Sequence, residues 1–588
     1  MEPVIKKIIV IILILAAVAF VLIKKDILPS NLVPGLTKKA PFEADILAFV
    51  PAGVSSLTAC NSGMQKMQDY WSTPAMKALG GLLVDRDRVY GLFSTFVPEK
   101  DKAVAQDVSR YIADISKAVL NSEAARTGFL IDEYVQYQAP GLQPLVPVTV
   151  AIATLKQEVD YKADFDALLK AGLEIKEEQS DGFTFYTMDY GKVFAQMMNI
   201  ADPNVTAMPE LKFYIASSGK KMGAGTSKEE IVRFFKGQKY EIKPAILETE
   251  GYKTALAKKP FDSSRDICQS YIDFAAMLSA TLGSMPSTPG PNGEELPLND
   301  IVKDFPVKGV LQTVGFDQSI SFAQYWSVKE ELIPADLKPW LDAVVTNTKL
   351  PGVAELPANT ALATAVNGEV LKRLKATADK NPQFAEQVAN IPYVDIAESV
   401  EAFTFSVMPP STGVIWPEGI ATVKLGKSKE LYGLAKEQIL AALNQSGMPI
   451  DKWLNKTISD VTVEYFSSPF GVGLFLAEVG DRIIASSSEP SMAAYLSASK
   501  KTSPLLAERL KVMGVPAERA VLFETFVSIP ALLEMARAAQ ASLAMFMPEQ
   551  IEIAKDYDII ANALGEYYLS IKWEPGYASF VMAQKPKS

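Results

Sequence analysis

The sequence contains no histidine and only two cysteines. Without histidine, no Ser-His-Asp or Cys-His arrangement can activate a nucleophile, and histidine metal sites and pH switches are excluded. Two cysteines are too few for a cysteine-rich zinc or iron–sulfur site. The chain also lacks a basic block outside its N-terminus and has a net charge of −10. We therefore do not expect nucleic acid as a partner.

The two cysteines are Cys60 and Cys268, and each lies in an apolar run typical of a strand. Spacing alone does not determine whether two cysteines are joined. A disulfide and a pair of buried thiols therefore both remain open.

Two stretches of the chain align without a gap, residues 211–235 and residues 472–496. Gly219 aligns with Gly480, and Ser227 aligns with Ser488. Each copy predicts a strand, a glycine turn with positive φ, a second short strand and a helix that begins at the serine. Glu230 has the spacing that completes a capping box with Ser227. Neither copy has the P-loop pattern, so a structural hairpin is favoured over an anion site.

The similarity extends to other segments. PAGVSSLTA at 51–59 matches PANTALATA at 357–365, VTVAIATL from 148 matches GIATVKL from 419, and RDICQSYID at 265–273 matches RAVLFETFV at 519–527. Alternating apolar and polar residues near the end of each half indicate antiparallel strands. We therefore predict an α+β protein with two tandem related modules, each a mainly antiparallel sheet packed with helices.

The predicted modules cover residues 43–332 and 357–588. The first is expected to carry a helical insertion at about 64–140 with no partner of equal length in the second. The proline-rich range 333–356 is predicted to be the linker between them. Both a hinge and a rigid docked pair fit its sequence.

Residues 8–23 are uninterrupted apolar sequence, and lysines flank both ends (Lys6, Lys7, Lys24, Lys25). This pattern predicts a transmembrane anchor within residues 1–25 and a juxtamembrane linker at 26–42. A cleaved signal peptide is the alternative, because Ala17-Val18-Ala19 has the form of a cleavage site, but the apolar run continues beyond it. The anchor would make the chain a single-pass protein of the inner (cytoplasmic) membrane. Its N-terminus would be inside and its body periplasmic or extracytoplasmic.

Three short motifs carry a family resemblance. They are Pro51-Ala52-Gly53-Val54, Pro357-Ala358-Asn359-Thr360 and the segment GDRIIAS at 480–486. In these the chain resembles a bacterial envelope family known as domain of unknown function 3352. The resemblance implies a membrane-anchored envelope protein and supplies no catalytic residue. The helical insertion departs from the family pattern.

No catalytic, cofactor-binding or metal-ligating residue is predicted. The S-x-x-K spacing occurs at Ser217 and at Ser497, but Ser217 lies at the predicted hairpin turn and Ser497 follows a predicted helix without the accompanying motifs. Asp85 and Asp87 alternate with arginines, which favours a self-neutralised helix face over a calcium site.

The segment 529–564 is helix-rich and contains Met535, Met545 and Met547. These side chains fit either core packing under the sheet or an adaptable apolar groove.

The sequence therefore favours a non-enzymatic, membrane-tethered extracytoplasmic binding or scaffold protein without a cofactor. It would contact the membrane through residues 8–23. Its partner would be an envelope protein or a lipid. A carrier or chaperone for a lipid or other apolar ligand, held between the sheets and the Met-bearing helices, is the alternative. A hydrolase with a Ser/Lys or carboxylate pair is a third hypothesis. The oligomeric state is not determined by the sequence.

Overall fold

The structure is a computed structural model of the chain. It describes residues 41–587 except for these gaps: 61–63, 95–100, 121–130, 144–145, 160–161, 164, 167–174, 190–211, 260, 262–265, 283–304, 317–318, 336, 347–351, 381–398, 412–415, 426–431, 434–435, 438–439, 441–452, 468–472, 516–520 and 544–554. The predicted anchor at 8–23 and almost all of the predicted linker at 26–42 lie outside the described residues. In the part that is described, no helix is long and apolar enough to span a bilayer.

The chain divides into two compact units. Unit 1 comprises residues up to 332 together with 554–563, and unit 2 comprises 333–553 and 564–587.

Unit 1 contains antiparallel strands in the spatial order β4-β5-β6-β7-β3-β2-β1-β8-β9-β10. Their bounds are β1 Ser56–Cys60, β2 Ile131–Gln143, β3 Val146–Leu155, β4 Ile175–Ser180, β5 Phe183–Asp189, β6 Lys212–Ser218, β7 Lys221–Gly225, β8 Asp266–Asp273, β9 Val307–Phe316 and β10 Ile320–Val328.

The helices of unit 1 are α1 Met64–Trp71, α2 Pro74–Leu83, α3 Arg86–Ser94, α4 Lys102–Leu120, α5 Lys228–Phe235, α6 Glu250–Lys258, α7 Phe274–Leu282 and, from later in the chain, α13 Asp556–Leu564, whose last residue falls in unit 2. Single 3₁₀ turns form at Pro41–Glu43, Asp45–Phe49, Ala245–Glu248 and Glu330–Leu332. Ile231 and Phe234 on α5 and Tyr252 on α6 are buried in one core with sheet residues such as Leu57 and Val150.

Unit 2 contains antiparallel strands in the order β14-β15-β16-β17-β13-β12-β11-β18-β19-β20. Their bounds are β11 Leu362–Asn367, β12 Val400–Met408, β13 Glu418–Leu425, β14 Leu454–Ile458, β15 Val461–Ser467, β16 Gly473–Val479, β17 Arg482–Ser486, β18 Phe523–Ser528, β19 Glu566–Glu574 and β20 Tyr577–Lys585.

The helices of unit 2 are α8 Lys338–Thr346, α9 Gly368–Lys380, α10 Glu489–Ser499, α11 Leu506–Val512 and α12 Ile529–Leu543, with a 3₁₀ turn at Val353–Glu355. Met492 and Leu496 on α10 and Leu510 on α11 are buried against sheet residues such as Ile420 and Phe526.

Both units are therefore antiparallel sheets packed with helices, and the chain is an α+β protein. Each strand of unit 2 occupies the same place in its order as the strand ten positions earlier in unit 1 occupies in its own. The main-chain bonds agree in detail: Thr226 N–H donates to Thr149 O at 2.8 Å, and Ser487 N–H donates to Gly419 O at 2.9 Å.

The hairpin glycines and helix caps have the predicted geometry. Gly219 has a φ of 57° and Gly480 a φ of 65°, a conformation that glycine adopts without a Cβ clash. Ser227 accepts a hydrogen bond from the main-chain N–H of Glu230, and Ser488 accepts one from Ser491 N–H. These are N-caps, because each satisfies a donor that the helix leaves free.

The capping box predicted for Glu230 is wrong in its second half. The Glu230 carboxylate does not return to the start of α5 but accepts hydrogen bonds from the hydroxyls of Tyr137 and Tyr240 at 2.9 and 2.7 Å. A tyrosine from the sheet lies within reach of the side chain, and short-range sequence does not contain that information.

Cys60 and Cys268 are directly opposite each other on β1 and β8 and form a disulfide. Their Cα atoms are 4.1 Å apart. The bond joins positions 208 residues apart in the sequence. At the matching positions of unit 2, Val366 and Phe523 are opposite each other.

Two predicted boundaries differ from the structure. Residues Ile131–Gln143 form strand β2, although the helical insertion was expected to continue to about 140. The pattern Tyr-Val-Gln-Tyr-Gln within this range alternates with a period of two, as a strand does. The range 333–356, predicted as a linker, contains α8 and the turn at Val353–Glu355, and Val353 is fully buried in the core of unit 2.

Candidate functional site

Each sheet has a core face and an opposite face. The core face packs against α5 and α6 in unit 1 and against α10 and α11 in unit 2. Because successive side chains of a strand point to alternate faces, the register of the strand pairs determines which residues share the opposite face.

The opposite face of unit 1 carries a row of uncharged polar residues across five neighbouring strands. Each member is directly opposite the next in the pairing, and the members are Gln136, Thr58, Ser270, Gln312 and Gln324. All five are half-buried. We call this set the amide row. Neighbouring strands are about 4.7–4.9 Å apart, so the row extends over roughly 19 Å.

Few internal hydrogen bonds involve the amide row. Thr58 and Ser270 share a hydroxyl–hydroxyl bond of 2.7 Å, and Tyr134 donates to Gln136 Oε1 at 2.8 Å. Burial raises the pKa of Tyr134 to about 12, so this hydroxyl keeps its proton at neutral pH. Within the described part of the chain, the side chains of Gln312 and Gln324 make no hydrogen bond.

The matching row of unit 2 is largely apolar. Its members, again directly opposite one another, are Phe405, Thr364, Thr525, Leu569 and Met582. We call this set the apolar row. The central hydroxyl pair is retained, with Thr364 and Thr525 3.2 Å apart. The three glutamines of unit 1 are thus matched by phenylalanine, leucine and methionine.

The register corrects the sequence alignment of β8 with β18. Matching RDICQSYID with RAVLFETFV equates Ser270 with Glu524. In the structure Ser270 is opposite Thr58, and Thr525 is opposite Thr364, so Ser270 corresponds to Thr525. An irregularity in the β8–β9 pairing between Asp266 and Cys268 accompanies the shift. A one-residue slip moves every side chain to the other face, which hides the row in the sequence.

Side chains from the helices contact the opposite face beside the amide row. On one side, Tyr70 of α1 and Met76 of α2 form a buried cluster against which Cys268 and Val314 pack. On the other side, the ring of Phe274 at the start of α7 stacks on Trp326 with centroids 5.8 Å apart. In unit 2, Leu371 on α9 packs against Phe403 and Val423 of the same face. The two rows are therefore bordered by helices.

Ionisable groups cluster on the core faces instead. In unit 2 the buried Glu418 carboxylate accepts hydrogen bonds from Ser488 Oγ and from Ser411 N–H. Ser491 and Ser486 complete a hydroxyl cluster at the N-terminus of α10. In unit 1, Glu230 with its two tyrosines occupies the matching place, and burial with this carboxylate raises the pKa of Tyr240 to about 12. The unit 2 cluster is a buried helix cap, whereas the half-buried Glu230 carboxylate accepts from its two tyrosines and leaves the cap to Ser227.

The sequence motifs examined for chemistry lie apart from both rows. Ser217 was predicted to lie at the hairpin turn, but it lies within β6, one residue before the strand ends, and donates to Val159 O at 3.5 Å. Ser497 was predicted to follow a helix, but it lies within the last turn of α10. The Lys500 ammonium, three residues later, donates to Ser459 O.

The alternating acidic and basic residues at the start of α3 are not self-neutralised. Asp85 Oδ1 accepts from the main-chain N–H groups of Asp87 and Arg88 at 3.1 and 3.2 Å, so it caps the helix. Arg86 forms a bidentate pair with Asp114, and Arg88 pairs with Asp556 of α13 at 2.6 Å. Among the described residues, no group of His, Cys, Asp and Glu could hold a metal ion.

Of the three methionines singled out in the segment 529–564, Met535 is buried at 8% exposure. Met545 and Met547 lie outside the described residues, as does the signal-peptide alternative at 17–19.

Comparisons with known proteins find no matching family model, no matching curated protein and no matching solved structure. The resemblance to domain of unknown function 3352 therefore stays a prediction.

Proposed function

We propose that the chain is a membrane-tethered, extracytoplasmic binding or scaffold protein built from two related modules. The apolar segment 8–23 with its flanking lysines supports the tether. The Cys60–Cys268 disulfide supports an oxidising compartment, because such bonds persist outside the reducing cytosol. The family resemblance is in line with both.

The relation between the modules is supported by their common strand order and by the repeated details of the hairpin. The side chain of Thr226 accepts from Thr149 N–H at 3.0 Å, and that of Ser487 accepts from Gly419 N–H at 2.7 Å. Two unrelated sheets would not be expected to share this pair of hydrogen bonds at the same position of the same strand order. A duplicated unit that later diverged accounts for both.

The observation that carries a binding role is the contrast between the two opposite faces. The same scaffold keeps its hydroxyl pair in both units but presents amides in one and apolar side chains in the other. Neither the core nor the strand pairing requires this difference. Surfaces that differ on a shared scaffold are where function is expected, as in other folds.

A crosslinking experiment in intact membranes tests the proposal. A photoreactive amino acid replaces Gln312 in the full-length chain, and the matched control places it at Ile242, which is 69% exposed in a loop of unit 1. We expect one reproducible adduct from position 312 and none of that mass from position 242. Equal labelling from both positions, or no adduct from either, would contradict a binding role for this face.

The location is tested separately. Protease added to spheroplasts should digest the body of the chain while the cells remain intact. Complete protection until lysis would contradict an extracytoplasmic body.

A second candidate function, a carrier for a lipid or other apolar ligand, is favoured by the face of unit 2. Phe405 is 39% exposed and Ile571 38% exposed, and both lie on the opposite face. Together with Leu569 and Met582 of the apolar row they make this face apolar across several strands, and a contiguous apolar face suits an apolar ligand.

A photoreactive fatty acid incubated with the full-length chain tests the carrier function. It should label peptides of β12 and β19, and the triple variant Phe405→Gln, Leu569→Gln and Met582→Gln should lose that labelling. Labelling that is unchanged in the variant would exclude this face as the lipid site.

A further inference from the structure

We propose that the amide row of unit 1 binds a neutral, hydroxyl-rich ligand of the saccharide class. This inference rests on the proposed binding function and names its ligand chemistry. It concerns only Gln136, Thr58, Ser270, Gln312 and Gln324 with the aromatic residues beside them.

The amide row has hydrogen-bonding groups that no described residue satisfies. A glutamine side chain offers two N–H donors and an acceptor oxygen, and Gln312 and Gln324 use none of them within the described residues. Polar groups in a half-buried position are costly unless water or a ligand satisfies them. Unit 2 has Leu569 and Met582 at these positions, so the scaffold itself does not need amides here.

The strand positions beside the amide row are uncharged. The strand positions on either side of the row, on the same face, are Tyr134, Cys60, Cys268, Val314 and Phe322 on one side and Gln138, Ser56, Ile272, Val310 and Trp326 on the other. None of these ten strand positions carries a charged side chain. An ionic ligand would leave its charge unpaired at such a surface. These strand positions therefore match a neutral ligand.

The amide row is long and evenly spaced. The row extends over roughly 19 Å with a hydrogen-bonding side chain at each strand, at an interval of about 4.8 Å. This length suits an extended oligomer better than one small molecule. Tyr134 on one side and Trp326, whose ring also stacks on Phe274, on the other supply aromatic surface beside the row. Sugar rings combine hydroxyl edges with C–H faces.

An extended peptide is the nearest alternative neutral ligand, and strand topology disfavours it. Peptides bind to sheets mainly by adding a strand at an edge. The four strands β2, β1, β8 and β9 already pair on both sides. Their main-chain groups are occupied, so only side chains remain for recognition.

The experiment uses the full-length chain in nanodiscs and three neutral oligomers as probes: chitohexaose, maltohexaose and cellohexaose. Saturation-transfer NMR detects binding, and titration gives the Kd. The test variant is Gln312→Leu with Gln324→Met, which introduces the residues of unit 2. The control is Ile242→Gln, in an exposed loop of unit 1 outside the amide row.

We expect at least one oligomer to bind, and the Kd to rise at least tenfold in the unit 1 variant and to stay within twofold in the control. A tenfold change corresponds to about 1.4 kcal/mol, roughly the loss of one to two hydrogen bonds. Hydrogen exchange of β9 and β10 must match the wild type, which shows that the variant folds.

Two results would overturn the inference: no binding of any oligomer, or equal binding by wild type and the unit 1 variant. Crosslinking from position 312 separates the two levels of the argument. An adduct without saccharide binding would refute the saccharide class but leave the binding function standing. If neither an adduct nor saccharide binding is found, the binding function and the saccharide class are both refuted.

Discussion

Loss of the Cys60–Cys268 bond should destabilise unit 1 and leave unit 2 unchanged. The bond joins positions 208 residues apart. In the chain-entropy relation a loop of this length contributes about 5 kcal/mol, while measured effects are more often about 2–4 kcal/mol. Cys60 is 7% exposed, and its partner strand β8 lies in the middle of the sheet. We therefore expect the variant Cys60→Ala with Cys268→Ala to lose about 3 kcal/mol.

Hydrogen exchange measured by mass spectrometry across a urea series resolves the two units in one chain. With an m-value of about 3 kcal/mol/M, the midpoint for peptides of β1 and β8 should fall by about 1 M. Peptides of β11 and β18 provide the internal control, because Val366 and Phe523 occupy the matching positions. A shift below about 0.3 M for β1 and β8 would refute the reasoning, as would an equal shift in both units or free thiols in the oxidised protein.

Three further predictions concern the matched parts of the units. Ser488→Ala should lower the unfolding free energy by about 1–2 kcal/mol and Ser227→Ala by about 0.5–1 kcal/mol. The loss is larger at Ser488 because that side chain is buried and also donates to a carboxylate. Thermal unfolding measures both losses, and a larger loss at Ser227 would contradict the prediction. Lys221 donates to Phe234 O at 2.8 Å, and burial lowers the pKa of its ammonium from 10.5. The unfolded chain then binds this proton more tightly, so the unfolding free energy should rise with pH in the window below 10.5. Lys221→Met should flatten that rise, and an unchanged slope would exclude the lysine as its source. Val366→Cys with Phe523→Cys should form a disulfide under mild oxidation, because these residues are opposite each other as the natural cysteines are. Mass spectrometry should then show the loss of two hydrogen atoms, about 2 Da, to the added oxidant. Persistent free thiols would show that the strand pairs are not equivalent.

Local signals in the sequence predicted local structure well. The glycine turns at Gly219 and Gly480 and the caps at Ser227 and Ser488 depend on backbone conformation and on a donor three residues away. Such features are complete within a few residues. The sequence therefore contains all the information needed to place them.

The pairing of distant strands was harder to predict from the sequence. The match of β8 with β18 is off by one residue, because apolar and polar residues alternate in both and either register preserves some similarity. The Glu230 carboxylate binds Tyr137 and Tyr240 rather than its own helix start. Both errors arise because the competing partner is far away in the sequence, where spacing carries no signal.

The candidate site could not be predicted for the same reason. Gln136, Thr58, Ser270, Gln312 and Gln324 come from five separate strands and form a row only through four registers. Each residue alone is an ordinary polar position of a half-buried strand. Only the combination of pairings shows that these uncharged residues lie in one line across the sheet.

The two units share the features that hold the scaffold together and differ on the opposite face. The retained features are the hairpin glycines, the cap serines and the hydroxyl pairs Thr58–Ser270 and Thr364–Thr525, all of which fix strand pairing or a helix start. Side chains of the opposite face away from that pair contribute little to either, so they can change without loss of the fold. Glutamine and methionine have similar lengths and flexibility but opposite polarity, so the exchange of Gln324 for Met582 alters the chemistry of the surface more than its shape. Under the proposed binding function, this inversion of polarity predicts different ligands for the two units.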